Sequence, residues 1–423
     1  MRLTNSLKGD YKMYDIKKVR ADFPMLNNKK MQGKPLVFLD NASTTFKPQC
    51  VIDAMNKYYL EMNANSHRGD YDLCYNMDVE IQKTRETIAK FINSEPNEVV
   101  FTSGDTEALN LVAYGYALEF LKPGDQILIS ELEHASNTLP WFRICELTGA
   151  KMCFVNIEDR QITTKNVEKA FKENKNIKIV SLAHTGNVLG YSISSKEIAS
   201  IAHKNGAILV LDGAQSVPHI PVDFKDLDCD FLTFSAHKMC GPTGIGCLIG
   251  KYELLQKMAT FHTGGGMNVK FSKNGEVIPL DAPAKFEAGT LNLSAIMGFK
   301  AAVEYLEALG MENIHKHDEE LFKYAISKLE KSDKVITYNK DSNNGIIAFN
   351  VKGVFAQDEA TLLNSKGIAV RSGQHCAKMI NDVVGDIATV RASTYLYTSK
   401  EEIDILVENL LNGGDILDAY FLN

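Results

Sequence analysis

The chain has 423 residues, enough for one large domain and a smaller one, and its 45% hydrophobic and 23% charged content excludes disorder and low complexity. A net charge of −7, with 46 basic residues scattered along the chain, excludes a basic face for nucleic acid. No apolar run approaches the roughly 18 residues of a membrane span and the start "MRLTNSLKGDYKMYDIKKVR" lacks a signal peptide's apolar segment, so a cytoplasmic protein with no membrane partner is expected. The segment "YDIKKVRADFPML" then carries Ile16, Val19 and Phe23 at helical spacing before Pro24, which predicts a short helix packing the N-terminus onto the body. Short β-rich runs follow, alternating with helical patterns: "PLVFLD", "EVVFTS", "DQILIS", "AKMCFV", "IKIVSLAHT", "AILVLD" and "DFLTFS". Such alternation predicts an α/β fold with a mostly parallel sheet covered on both faces. After about residue 300 come an amphipathic helix, a charged helix, the strands "NNGIIAFNV" and "GIAVRS", and a terminal helix, the pattern of a smaller α+β domain. The expected division is a packing segment at 1–30, a large domain at 31–300 and a small C-terminal domain at 301–423.

Several large-domain runs end in polar clusters ("LDNAST", "FTSGDTE", "ISELEH", "LDGAQ", "FSAHK"), and open α/β sheets bind ligands at the carboxyl ends of their strands. Asp212 and Lys238 end two such runs. A carboxylate to keep a ring nitrogen protonated and an amine to bond an aldehyde are what pyridoxal phosphate needs; a plain salt bridge at a sheet edge is the alternative. Gly104-Asp105-Thr106 lies between strand and helix, where unpaired backbone N–H groups attract a phosphate, or where Asp105 or Thr106 caps the helix. In the first case Asp105 is an awkward neighbour for a dianion unless its carboxylate turns to the helix N–H groups. His134, after a strand, is placed to stack on an aromatic cofactor or merely to be hydrogen-bonded. Arg371 and Arg391 are candidates to clamp a carboxylate, or surface residues.

The eight cysteines form no C-x-x-C pair and no metal-ligand spacing, so reduced thiols and no metal site are expected. Cys376 stands in "RSGQHCAKM", a loop-like stretch in which it is either a nucleophile or an ordinary thiol. "GPTGIG" lacks the order of a dinucleotide fingerprint, and no G-x-x-x-x-G-K-[ST] occurs. The triplets "NAS" at Asn41, "NLS" at Asn292 and "RGD" at Arg68 read as chance in such a protein.

Taken in order, "FLDNAST", "LDGAQSVPHIPVDFKDLDCDF", "FSAHKMCGPTGIG", "FEAGTLN", "RSGQHCA" and "RASTYLYTSKEEID" make the chain resemble, over nearly its whole length, the Suf-type cysteine desulfurases of the class V aminotransferase family. The resemblance implies a pyridoxal-phosphate-dependent transferase of fold type I. It implies that Lys238 bonds the cofactor, Asp212 pairs with its ring nitrogen, Gln215 contacts its ring oxygen and His134 stacks on it. Thr106, Ser235 and His237 would hold the phosphate, and Thr290 would reach the phosphate of a neighbouring subunit in a homodimer. Asn187 and Arg391, with Arg371, would hold L-cysteine, and Cys376 would take its sulfur as a persulfide, passed to an acceptor protein of the Suf system for iron–sulfur cluster assembly.

Only a thiolate attacks sulfur, so nearby cationic character should help, and His375 and Arg371 are the local candidates. The chain departs from the family pattern at Gln374, where a histidine is usual, at Asp105 for a threonine, and at Ala236 for a glycine. Gln357 stands where relatives serving a zinc-bearing acceptor tend to have a histidine, which leaves the acceptor type open. A selenocysteine lyase, or another class V lyase or transferase, would share the cofactor site. A non-catalytic dimeric scaffold is the remaining reading, against which Lys238, Asp212 and His134 argue.

Overall fold

The computed structural model describes residues 15–66 and 69–412; Arg68 and the residues before Asp15 lie outside them. The N-terminal helix spans Ile16–Ala21 and is capped by Asp15, whose carboxylate accepts from the Lys17 and Lys18 N–H groups. As its spacing predicts, Val19 and Phe23 are buried. The Phe23 ring packs on Tyr305 and Tyr397, and Arg20 Nη1 donates to Glu402 at 2.7 Å.

Seven strands form the central sheet: β1 (Val99–Thr102), β2 (Gln126–Ile129), β3 (Lys151–Phe154), β4 (Ile177–Ala183), β5 (Ile208–Asp212), β6 (Phe231–Ser235) and β7 (Gly246–Gly250). Their order is β1-β7-β6-β5-β4-β2-β3. The run from β6 to β3 is parallel throughout, and β7 is antiparallel to both its neighbours. Alternate side chains feed two cores: Leu209 and Leu211 enter one and Val210 the other, so both faces are covered. Helix α1 (Asp72–Phe91) lies on one side with α2 (Asp105–Val112) leading away from β1, and α3 (Leu293–Leu309) packs against α1.

The sheet differs from the expected strand set at two places. "GCLIG" (β7) is a strand that neither alternation nor turn residues mark, because it is buried on both faces. Its first residue must be glycine: a Cβ on Gly246 would stand 2.7 Å from Gly104 Cα and 2.5 Å from the Phe234 carbonyl oxygen. "PLVFLD" stays outside the central sheet; Val37–Phe38 pairs in parallel with Ile368–Ala369. Val37 and Leu39 there join the C-terminal core.

That core lies between α4 (Met311–Leu329), α5 (Lys400–Asn412) and an antiparallel sheet of β8 (Val335–Thr337), β9 (Ile346–Val351), β10 (Arg371–Gly373) and β11 (Thr389–Ser393), ordered β8-β9-β11-β10. The run "GIAVRS" is therefore split: Ile368–Ala369 serves one pairing and β10 another. Among the described residues no helix is long and apolar enough to cross a membrane.

Candidate active site

The carboxyl ends of β1, β2, β4, β5 and β6 open on one cavity of about 220 Å3. Thr106, His134, Asn187, Asp212, Gln215, Ser235, His237, Lys238, Arg371, Cys376 and Arg391 all line it. Of the residues to which the resemblance assigns a cofactor, substrate or sulfur-accepting role, Thr290 alone is absent; it is exposed in the loop before α3.

Lys238 sits in the turn after β6, where burial pulls its ammonium below the usual range while Asp212 and Asp105 oppose the shift. More of the amine is therefore neutral near pH 7 than for a surface lysine. Asp212 ends β5, and its Oδ1 accepts from the Ala214 N–H at 2.9 Å. Gln215 Nε2 donates to the Ala42 carbonyl at 2.7 Å and leaves Oε1 buried without a partner.

The turn between β1 and α2 gathers Thr106, Ser235 and His237 on one side of the cavity. Ser235 Oγ accepts from the Asp105 N–H at 2.7 Å, and Thr106 Oγ1 lies 2.7 Å from Ser136 Oγ. His237 Nδ1 is 3.2 Å from Thr44 Oγ1, and burial, then Lys238, push its imidazole down to about 4, so it is neutral at physiological pH. Asp105 does not cap its own helix, as the alternative reading held; no side chain caps it, and Glu107 accepts from the Ser103 N–H, ahead of the helix, at 2.6 Å. Instead burial, then the charge of Asp212, push the Asp105 carboxyl up to about 7.

His134 Nδ1 accepts from the Ser136 N–H at 3.1 Å, which assigns the ring proton to Nε2. Burial and Lys238 hold the ring below its ordinary value, hence neutral. Glu133, which sequence reasoning passed over, accepts from Ser130 Oγ, Asn137 Nδ2 and the Ala183 N–H at 2.6–2.8 Å and braces the turn that presents His134. Its burial pushes the carboxyl up to about 8. The signal was present in "SELEH": an acid at a strand end beside the histidine.

Cys376 is exposed at the mouth. It and His375 adopt left-handed backbone angles (φ 59° and 51°), an unfavourable state costing about 1–3 kcal/mol per residue. Three hydrogen bonds hold it: Ala135 N–H to the Cys376 carbonyl at 2.7 Å, Asn187 Nδ2 to the His375 carbonyl at 2.9 Å, and Ala377 N–H to the Gln374 carbonyl at 2.8 Å. The expectation that His375 lends cationic character to the thiol is overturned. Its ring turns inward, with Nε2 2.8 Å from Thr389 Oγ1, and burial, then Arg391, push it down to about 3.

Because that value lies below the working range, His375 carries no charge anywhere between pH 5 and pH 9. His375→Asn is therefore expected to slow turnover by loosening the loop while leaving the midpoint of its pH profile in place. A midpoint moved by more than about half a unit in a rate-against-pH series would return the ring to a direct role.

Arg391 on β11 is buried and Arg371 on β10 is exposed at the rim. Asp40 bridges them, at 3.2 Å from Arg391 Nη2 and 3.3 Å from Arg371 Nη2. Arg391 also donates to the Asn187 carbonyl and Ser43 Oγ, both at 2.7 Å, while its buried Nε has no partner. Burial, then the opposing pull of Asp40, bring Arg391 to about 10, so it stays charged at neutral pH. Asp40 and Ser43 come from "LDNAST", a polar strand end whose partners lie some 350 positions away.

The aminotransferase class-V family profile matches residues 37–406. A probable cysteine desulfurase of Halalkalibacterium halodurans is 42% identical over 399 residues, covering 94% of this chain and 97% of that protein. The solved structure of a cysteine desulfurase from Thermococcus onnurineus superposes with a TM-score of 0.88 at 35% identity, over 94% of this chain and 98% of the other. That of cysteine desulfurase CsdA from Escherichia coli, in an S-sulfonic acid form, does so with a TM-score of 0.87 at 33% identity, over 97% and 100% of the two chains.

Proposed function

The chain belongs to the aminotransferase class-V family, and from that premise we propose that it is a cysteine desulfurase, converting L-cysteine to L-alanine with pyridoxal 5'-phosphate as cofactor and a persulfide on Cys376. The observation that carries the reading is one cavity bounded by a half-buried lysine, a buried aspartate and an exposed thiol. The fold is that of the fold type I pyridoxal-phosphate enzymes.

The residues suit that cofactor. The cradle of Thr106, Ser235 and His237 would take the phosphate, Asp212 the ring nitrogen and Gln215, with a buried oxygen left open, the ring's polar edge. His134 would lie against the ring. When bound, pyridoxal phosphate supplies an electron sink for the bond-breaking at the amino acid's carbons.

Arg391, charged and already oriented by Asp40 and Asn187, would hold the substrate carboxylate, with its free Nε and the rim guanidinium of Arg371 to complete the clamp. Lys238, depressed by burial, would release the α-proton and return one to the product carbon. The Cys376 thiolate then attacks the substrate sulfur; the new S–S bond forms as the C–S bond breaks, and its electron pair stays with the carbon skeleton, which gains a proton and leaves as alanine. The exposed position of Cys376 lets an acceptor protein of the Suf type collect the sulfur, for iron–sulfur cluster assembly. Gln357 is likewise exposed, at the start of its helix. In a homodimer Thr290, exposed here, would reach the partner's phosphate, and the exposed Phe271 and Val269 of a projecting hairpin would be covered. Eight free cysteines suit a reducing, cytoplasmic setting.

The test compares alanine release from L-cysteine and from L-selenocysteine by the cofactor-loaded protein in the presence of a thiol reductant. Release from cysteine is expected. Release from selenocysteine alone would replace the assignment with a selenocysteine lyase.

A further inference from the structure

Two carboxylates line the cavity, Asp212 and Asp105, and the chemistry above employs only the first. Asp105 opens α2, the helix whose first turn faces the expected phosphate, yet its side chain does not cap that helix. It is 7% exposed and its Oδ1 is buried without a hydrogen-bond partner; the neighbouring Thr233 hydroxyl favours its anion but is outweighed by burial and Asp212. The charged groups acting on it are Asp212 on β5 and Lys238 in the turn after β6, one anion and one cation. A phosphate arriving at Thr106 and Ser235 adds negative charge within one residue of this carboxylate, in a site with little water to screen it. The least costly relief is a proton on Asp105.

We propose that Asp105 is a further residue of the cofactor site, a carboxyl that takes up a proton when a phosphate docks on the first turn of α2, so that Asp212 alone remains anionic beneath the cofactor. The inference rests on the pyridoxal-phosphate reading above. Burial and Asp212 already push the Asp105 carboxyl up to about 7 before any phosphate is present, so the proton is within reach at physiological pH. Docking would raise it further. By linkage, cofactor affinity then falls with rising pH above that value, because the proton must first be recovered, at a limit of tenfold per pH unit.

The experiment measures the dissociation constant of pyridoxal 5'-phosphate for the full chain stripped of cofactor, between pH 6 and pH 8.5, in the native protein, Asp105→Asn and Asp105→Thr. Titration of the cofactor itself is common to all three, and Asp105 also raises Lys238, an effect that would make the native affinity gain on the variants as pH rises, so a native-to-variant ratio that falls with pH reports the proton on Asp105 itself. That ratio is expected to fall about tenfold across the range. Parallel profiles in native and variant proteins overturn the inference. Should neither variant fold, infrared difference spectra of the native protein serve: cofactor addition at pH 8 is expected to raise the protonated-carboxyl band, and no gain overturns it. A native protein that binds no cofactor at any pH overturns the functional reading instead.

Discussion

Lys238→Ala, reconstituted with pyridoxal 5'-phosphate and freed of unbound cofactor, is expected to lack the longer-wavelength absorbance band of lysine-bonded cofactor that the native protein shows, and to lose alanine formation by roughly 10³–10⁴-fold. That band is shifted from the free aldehyde's by the covalent bond between the lysine nitrogen and the cofactor, so its loss reports the missing bond independently of turnover. The size of the loss follows from two tasks resting on one amine: holding the cofactor and moving the α-proton. Both depend on a nitrogen that is free of its proton part of the time, which burial in the turn after β6 provides. Absorbance and alanine assays on the same samples check the prediction. A native protein that remains colourless after reconstitution would sink the whole functional reading, and a variant that keeps its turnover would remove Lys238 from it.

The second large effect is expected at the mouth of the cavity. Cys376→Ala should take up the cofactor with full colour and still bind L-cysteine, yet make alanine at least a hundredfold more slowly in the presence of reductant. The thiol is exposed and makes no contribution to the packed core, so the substitution leaves the fold intact. What it deletes is the only exposed sulfur among the described residues that line the cavity. Spectral titration with L-cysteine separates binding from turnover. Unchanged alanine release would strip Cys376 of the nucleophile's role, whereas selenocysteine turnover that survives while cysteine turnover fails would confine that role to sulfur.

Several features of the site were legible in the chain because they depend on residue type and local pattern. An aspartate and a lysine, each closing a buried apolar run, had to emerge at one edge of a parallel sheet, and Asp212 and Lys238 do. The short N-terminal helix followed from three spaced apolar residues and a proline. Other features were silent for identifiable reasons. Strand β7 carries no periodicity because neighbours bury both of its faces. Its role as the antiparallel insert between β1 and β6 is a matter of pairing, which the run "GCLIG" does not encode locally.

The charges of the site divide along the same line. That His375 adjoins Cys376 suggested a cation beside the thiol, but a left-handed turn rotates the ring inward to Thr389, and loss of water there keeps it neutral. Asp105 looked like a helix cap, until the close approach of β5 and β6 placed it by Asp212 and Lys238. Asp40 draws two arginines from strands some 350 residues downstream into one clamp. Strand ends, helix starts and the identity of the reactive groups are set by neighbours a few residues away, so the chain states them outright. Which way a side chain turns, how much water it keeps and which charge it faces depend on segments that meet only in the folded protein, and those three things set the protonation on which the chemistry runs.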